Sequence, residues 1–140
     1  MRFLKSWIAG FAVGAALACG AAASAQEAGS TLYGAWRNPK GTVNVEIRPC
    51  GPGACGYIVW ADAGAQAAAR KAGTEQLVGL RVFRDLTQDQ SGAWKGKVFA
   101  PDLNMTFAGT VRLVDARSLR AKGCLVGGLF CKSQLWTRVS

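Results

Sequence analysis

The sequence predicts a mainly β protein: a small, antiparallel, up-and-down β-barrel of about eight strands with one short helix. Three observations carry this. Apolar and polar residues alternate over short runs, the signature of half-buried strands. Turn residues separate the runs at short intervals. A single Ala-rich stretch has helical character, so the chain lacks the βαβ rhythm of a parallel sheet. Closing such strands into a barrel removes exposed edges and leaves an interior that is filled by side chains or holds one small ligand.

The first segment is not part of that domain. Met1-Arg2-Phe3-Leu4-Lys5 is basic, residues 8–18 are entirely Gly and apolar, and Ala23-Ser24-Ala25 offers small residues at a cleavage site. This is the order of a secretory signal peptide, with cleavage between Ala25 and Gln26. A membrane-spanning anchor needs roughly 20 strongly apolar residues, and this segment is diluted by Ala and Gly. Lipid attachment at Cys19 is the lesser alternative. The expectation is therefore a signal over 1–25 and one domain over 26–140, periplasmic or secreted, with no transmembrane segment after signal removal.

In the exported part, residues 32–37 form the first strand. Val43, Val45 and Ile47 alternate with Asn44, Glu46 and Arg48 in the second. Cys50-Gly-Pro-Gly-Ala-Cys55 is a tight turn, and residues 56–60 return as its partner. Pro49 and Pro52 cannot donate to a ladder and are expected to bound these strands. Residues 62–73 read as the helix, with Asp62 as N-cap, Arg70 and Lys71 in the last turn, and Gly73 as the stop. Strands follow at 77–86 and 93–100, with Gln90-Ser91-Gly92 turning between them. Met105, Phe107, Gly109, Val111 and Leu113 alternate with Thr106, Ala108, Thr110 and Arg112 in the clearest strand. Residues 118–124 and 134–139 complete the count.

The exported part holds four cysteines, Cys50, Cys55, Cys124 and Cys131. An even number in an exported chain reads as disulfides, and four cysteines allow three pairings. Proximity favours Cys50–Cys55 and Cys124–Cys131, each closing a Gly-containing loop. A four-thiolate zinc site is disfavoured because its usual pairs lie two to four residues apart. Fifteen basic residues face eight acids after signal removal, a net charge of +7. Such a surface favours anionic envelope components. Its cations are scattered rather than clustered, which argues against nucleic acid.

Four motifs in order then carry a resemblance. They are Gly34-Ala35-Trp36-Arg37-Asn38-Pro39; Pro49-Cys50-Gly51 with Cys55-Gly56-Tyr57-Ile58-Val59-Trp60; residues 92–102, from Gly92-Ala93-Trp94 to Ala100-Pro101-Asp102; and Gly123-Cys124 with Ser133-Gln134-Leu135-Trp136-Thr137-Arg138. Together they resemble the bacterial domain-of-unknown-function family 2147, in a cysteine-bearing subgroup, over roughly residues 32–139. The resemblance implies an exported, lipocalin-like barrel and no known reaction. This chain departs from many members in its shorter 62–73 segment and in reading Phe99-Ala100-Pro101 where they read Tyr-Asp-Pro. It also implies closure by Gly34, Trp36, Trp136 and Arg138, the arginine covering Trp36 through a cation–π contact and its aliphatic stem.

Candidate ligand-wall residues are the aromatics Trp60, Phe83, Trp94 and Phe107, which in a barrel fill the interior or line a pocket. No catalytic residue is nominated. The sequence has no histidine, which removes the commonest general base and the Ser-His and Cys-His arrangements. The acids are few and dispersed; Asp62 and Asp102 are the pair that a two-carboxylate site would draw on. No Cys-x-x-Cys, metal set, cofactor motif or phosphate-binding Gly loop is present. The reading is a non-enzymatic barrel that binds a small apolar ligand. The alternative is a solid barrel whose basic surface engages an envelope partner.

Overall fold

The computed structural model describes residues 31–125 and 129–140; Cys19 and the cleavage site at Ala25 and Gln26 lie outside them. Eight antiparallel strands close into a barrel in chain order: β1 Gly34–Arg37, β2 Val43–Cys50, β3 Gly53–Ala61, β4 Arg81–Gln88, β5 Trp94–Ala100, β6 Met105–Asp115, β7 Ser118–Cys124 and β8 Cys131–Arg138. One helix, α1 Ala63–Ala72, joins β3 to β4. Each strand pairs with its sequence neighbours, and β8 returns to β1 through Trp36↔Arg138 and Arg37↔Thr137.

This topology gives the barrel two distinct ends. The base carries the β2–β3, β4–β5 and β6–β7 turns and residues 31–33. The mouth carries the β1–β2 loop, α1, the β5–β6 turn and the β7–β8 loop. Both cysteine pairs are disulfide-bonded, Cys50–Cys55 across the base turn and Cys124–Cys131 across the mouth loop.

The helix forms where its caps are. Asp62 Oδ1 accepts from the Ala65 N–H at 2.7 Å, and Gly73 takes φ +113° while its N–H reaches the Ala69 and Arg70 carbonyls. Arg70 and Lys71 sit in the last turn, where the helix dipole favours cations. Buried Ala69 and Leu77 hold α1 against the barrel.

Two sequence expectations are corrected. The 77–86 run is not one strand. Gly79 takes φ +94°, and its N–H bonds the Ile58 carbonyl at 2.7 Å, so residues 77–80 turn and β4 starts at Arg81. Pro49 lies within β2 rather than bounding it. The β1 ladder along β2 ends at Ile47, so Pro49 has one partner strand, and a missing donor is tolerated at such an edge.

The core fills the basal half of the lumen: Trp36, Val45, Ile47, Leu86, Val111 and Leu119 are buried. Gly56 makes room for it. A Cβ there would lie 2.6 Å from Phe83 Cδ2 and 2.9 Å from Val45 Cγ1, so only glycine lets Phe83 cross the lumen at this level.

Candidate functional site

The closed base is built around Trp36, whose indole N–H donates to the Leu32 carbonyl at 2.9 Å. The Arg138 guanidinium lies 4.2 Å from the Trp36 ring centroid. Its three nitrogens donate to carbonyls from two separate segments: Nε to Ala116 at 2.7 Å, Nη1 to Tyr33 at 2.9 Å and Nη2 to Thr31 at 2.5 Å. Burial, with a smaller contribution from Arg117, lowers its pKa; an arginine stays charged regardless. Gly34 serves this latch directly. It takes φ +125°, and a Cβ would lie 2.7 Å from Arg138 Nη1. The planar fork thus ties the shortest ladder of the barrel to the segment that crosses the base.

Above the core, towards the mouth, the lumen is open. A cavity of about 350 Å³ has walls from Val43, Val45, Ile58, Val82, Phe83 and Trp136, and α1 contributes Ala65 and Ala68. Polar groups collect at its rim: Asn38, Lys40, Thr42, Asp102 and Gln134. Not all of them are free to meet a ligand. Asn38 Oδ1 accepts from the Thr42 and Val43 N–H groups at 2.8 and 3.0 Å, and its amide donates to Thr42 Oγ1 at 2.8 Å. Asn38 therefore shapes the β1–β2 loop. Gln134 Oε1 accepts from the Trp136 indole at 3.1 Å, which leaves its amide nitrogen as a donor. Lys40, Asp102 and Gln134 remain as polar groups over apolar walls, a composition shared with small-molecule sites.

Of the four nominated aromatics, the structure brings only Phe83 to this cavity. Trp60 is 44% exposed on the outer face of β3. Trp94 lies at the base, edge-on to Tyr33 with ring centroids 6.3 Å apart, beside a second, open hollow under residues 31–33. Phe107 is half-buried, its Cβ 3.7 Å from where a Gly123 Cβ would stand. Trp136, expected at the closure, also lines the cavity and packs 5.6 Å from Phe83. Sequence reasoning missed the aliphatic walls Val43, Val82 and Val98 and the rim residues Lys40 and Gln134. The alternation of β2 pointed to Val43; nothing in sequence pointed to the rim.

The two acids of a carboxylate site have separate parts, Asp62 capping α1 and Asp102 at the rim. Among the described residues no group of three His, Cys, Asp or Glu could hold a metal ion. No described helix is long and apolar enough to cross a membrane.

A closed eight-stranded barrel, latched by an arginine over a tryptophan at one end and hollow at the other, is a lipocalin-like fold. The chain belongs to domain-of-unknown-function family 2147, described as an uncharacterised protein conserved in bacteria, whose model matches residues 34–138. Among solved structures it is similar to protein HP1028 of the human pathogen Helicobacter pylori, reported as belonging to the lipocalin family. The two share 16% identity, over 79% of this chain and 84% of that one, with a TM-score of 0.58. No curated protein matches.

Proposed function

We propose that this protein is a non-enzymatic carrier that acts outside the cytoplasm and holds a small, mostly apolar molecule at the barrel mouth. The mouth cavity carries this reading. Its volume of about 350 Å³ falls at the lower end of the ~300–1,000 Å³ range of ligand pockets. At the ~30 Å³ that one water occupies in the liquid, it accommodates on the order of a dozen methylene-sized groups. The ligand's apolar body would lie against Phe83 and Trp136, with a polar end at Lys40, Asp102 and Gln134. The lipocalin-like fold supports small-ligand binding. The two disulfides support an oxidising compartment, and signal cleavage between Ala25 and Gln26 would deliver the chain there.

The test is native mass spectrometry of protein exported by its own signal, followed by thermal shifts across a panel of fatty acids, lipids and aromatic metabolites. A reproducible adduct is expected, and a saturating ligand at 100 times its Kd adds about 2.7 kcal/mol of stability. Ala68→Trp, at an exposed position on the cavity lining, should leave the empty protein's Tm unchanged and weaken binding at least tenfold. No adduct and no shift across the panel would favour the rival reading, a barrel whose basic surface does the work. The filled basal half of the lumen is what recommends that rival.

A further inference from the structure

We propose that the mouth rim around the Cys124–Cys131 disulfide docks on the surface of an anionic phospholipid bilayer. This goes beyond ligand binding and does not depend on it, because Leu129, Phe130 and the lysines of β5, β7 and β8 are no part of the cavity lining.

The first observation is that the strongest apolar exposure, at Leu129, Phe130 and Leu103, falls in one quadrant. Leu129 is 81% and Phe130 72% exposed, the two largest values among the large hydrophobic residues described. Leu125 is exposed beside them, and Leu103 and Met105 are exposed on the neighbouring β5–β6 turn and β6. Register places these groups side by side. Ala108 pairs with Cys124, so Met105 runs alongside the stapled loop about 10 Å beyond that pair.

The second observation is that the described ends of the β7–β8 loop are held. The disulfide closes it, and the Leu125 N–H bonds the Phe130 carbonyl at 2.8 Å. Ordering a flexible loop at a surface costs conformational entropy; a loop held at both ends loses less of it.

The third observation is charge. Lys97, Lys122 and Lys132 flank the loop on β5, β7 and β8 and are exposed. Arg70 and Lys71 close α1 next to the same turn, since a Cβ on Gly73 would lie 3.9 Å from Asn104 Nδ2, and Lys40 stands on the rim. The acids at this end are Asp62, engaged as a helix cap, Glu75 and Asp102. None of the six cations has an ion-pair partner among the described residues, where the one salt bridge is Lys95–Asp89 at the base. Apolar groups ringed by cations are the composition of an interfacial anchor for anionic lipid.

The experiment is cosedimentation of the purified, disulfide-bonded protein with vesicles. One set is phosphatidylethanolamine and phosphatidylglycerol at about 3:1; the other is phosphatidylcholine. Partitioning should be at least tenfold stronger on the anionic set and should fall as salt screens it. Leu129→Ser with Phe130→Ser should weaken it at least tenfold with Tm unchanged, and Lys122→Gln and Lys132→Gln by about fivefold each. Phe130→Trp gives an independent readout on an otherwise native chain: its emission should shift to the blue and be quenched by brominated lipid tails. Absence of vesicle binding, equal binding to both sets, or a Phe130→Trp signal unmoved by lipid would overturn the proposal. Concentration-dependent dimerisation that the Leu129/Phe130 variant abolishes, without vesicle binding, would overturn it by assigning the rim to a second copy.

Discussion

Replacing Arg138 by alanine should cost the fold about 3 kcal/mol. The seam it closes has only two paired positions. The side chain donates three hydrogen bonds to carbonyls and covers the Trp36 ring at 4.2 Å. Hydrogen bonds from a charged donor contribute ~1.5–3 kcal/mol each when sheltered, and the cation–π contact ~0.5–2 kcal/mol. Two of the three bonds face solvent, and water can replace the lost donor there. The low end for the sheltered Thr31 bond, fractions for the other two and a modest ring term sum to about 3 kcal/mol. For a domain of this size that lowers Tm by roughly 10–20 °C. Arg138→Lys keeps the charge but not the fork, and one ammonium cannot span carbonyls on both segments, so less than half the loss should return. Arg138→Met separates the stem's packing from the charge. Urea melts read by tryptophan fluorescence, with calorimetry alongside, measure all three. A loss below about 1 kcal/mol for Arg138→Ala, or full rescue by lysine, would refute the latch.

Gly56→Ala pushes a methyl into Phe83 and Val45 and should cost ~1–3 kcal/mol by overpacking; because Phe83 lines the cavity, ligand affinity should fall with it in the same titration. Reducing either disulfide, or replacing its cysteines pairwise by serine, should remove on the order of 2 kcal/mol in the chain-entropy model, measured by urea melts with and without reductant. Asp89 has its pKa lowered to about 2, first by the Ser91 hydroxyl and then by Lys95. Its folded pKa is depressed, so its contribution is present above about pH 4 and is lost as pH falls towards 2. The Tm gap between wild type and Asp89→Asn should accordingly narrow over that window and stay flat above about pH 5.

The barrel was legible in sequence because most of its elements obey local rules. β6 alternates over its length, α1 is bracketed by Asp62 and Gly73, and each disulfide joins near neighbours. The cavity was not, and Trp60 shows why. Asn44 pairs with Trp60 but Val45 with Ile58, so Val59 is an extra residue in the ladder. A bulge of this kind turns the residues beyond it to the other face. Counting by twos from buried Ile58 places Trp60 inside, and the bulge places it outside. No residue type announces that insertion. The rim is harder still, since Lys40, Asp102 and Gln134 come from three segments that only barrel closure brings together. The resemblance to the family anticipated Arg138 over Trp36, a contact that bridges 102 positions and that no local pattern reveals.

The seam between β1 and β8 also decides where this chain tolerates being cut. The Ala35 N–H bonds the Ser140 carbonyl at 3.0 Å, so the start of the first strand and the residues after the last already touch. A short Gly-Ser bridge from Ser140 to Thr31 would make the polypeptide circular in outline, and new ends opened at Gln90-Ser91 would fall in an exposed base turn away from the mouth and from the carbonyls that receive Arg138. Such permutants would carry the ring of strands intact while converting the weakest ladder into an ordinary hairpin, and the wall they opened instead would be one of the long ones. Their yield against that of the native chain order would then show how far the closed ring depends on the β4–β5 ladder being continuous.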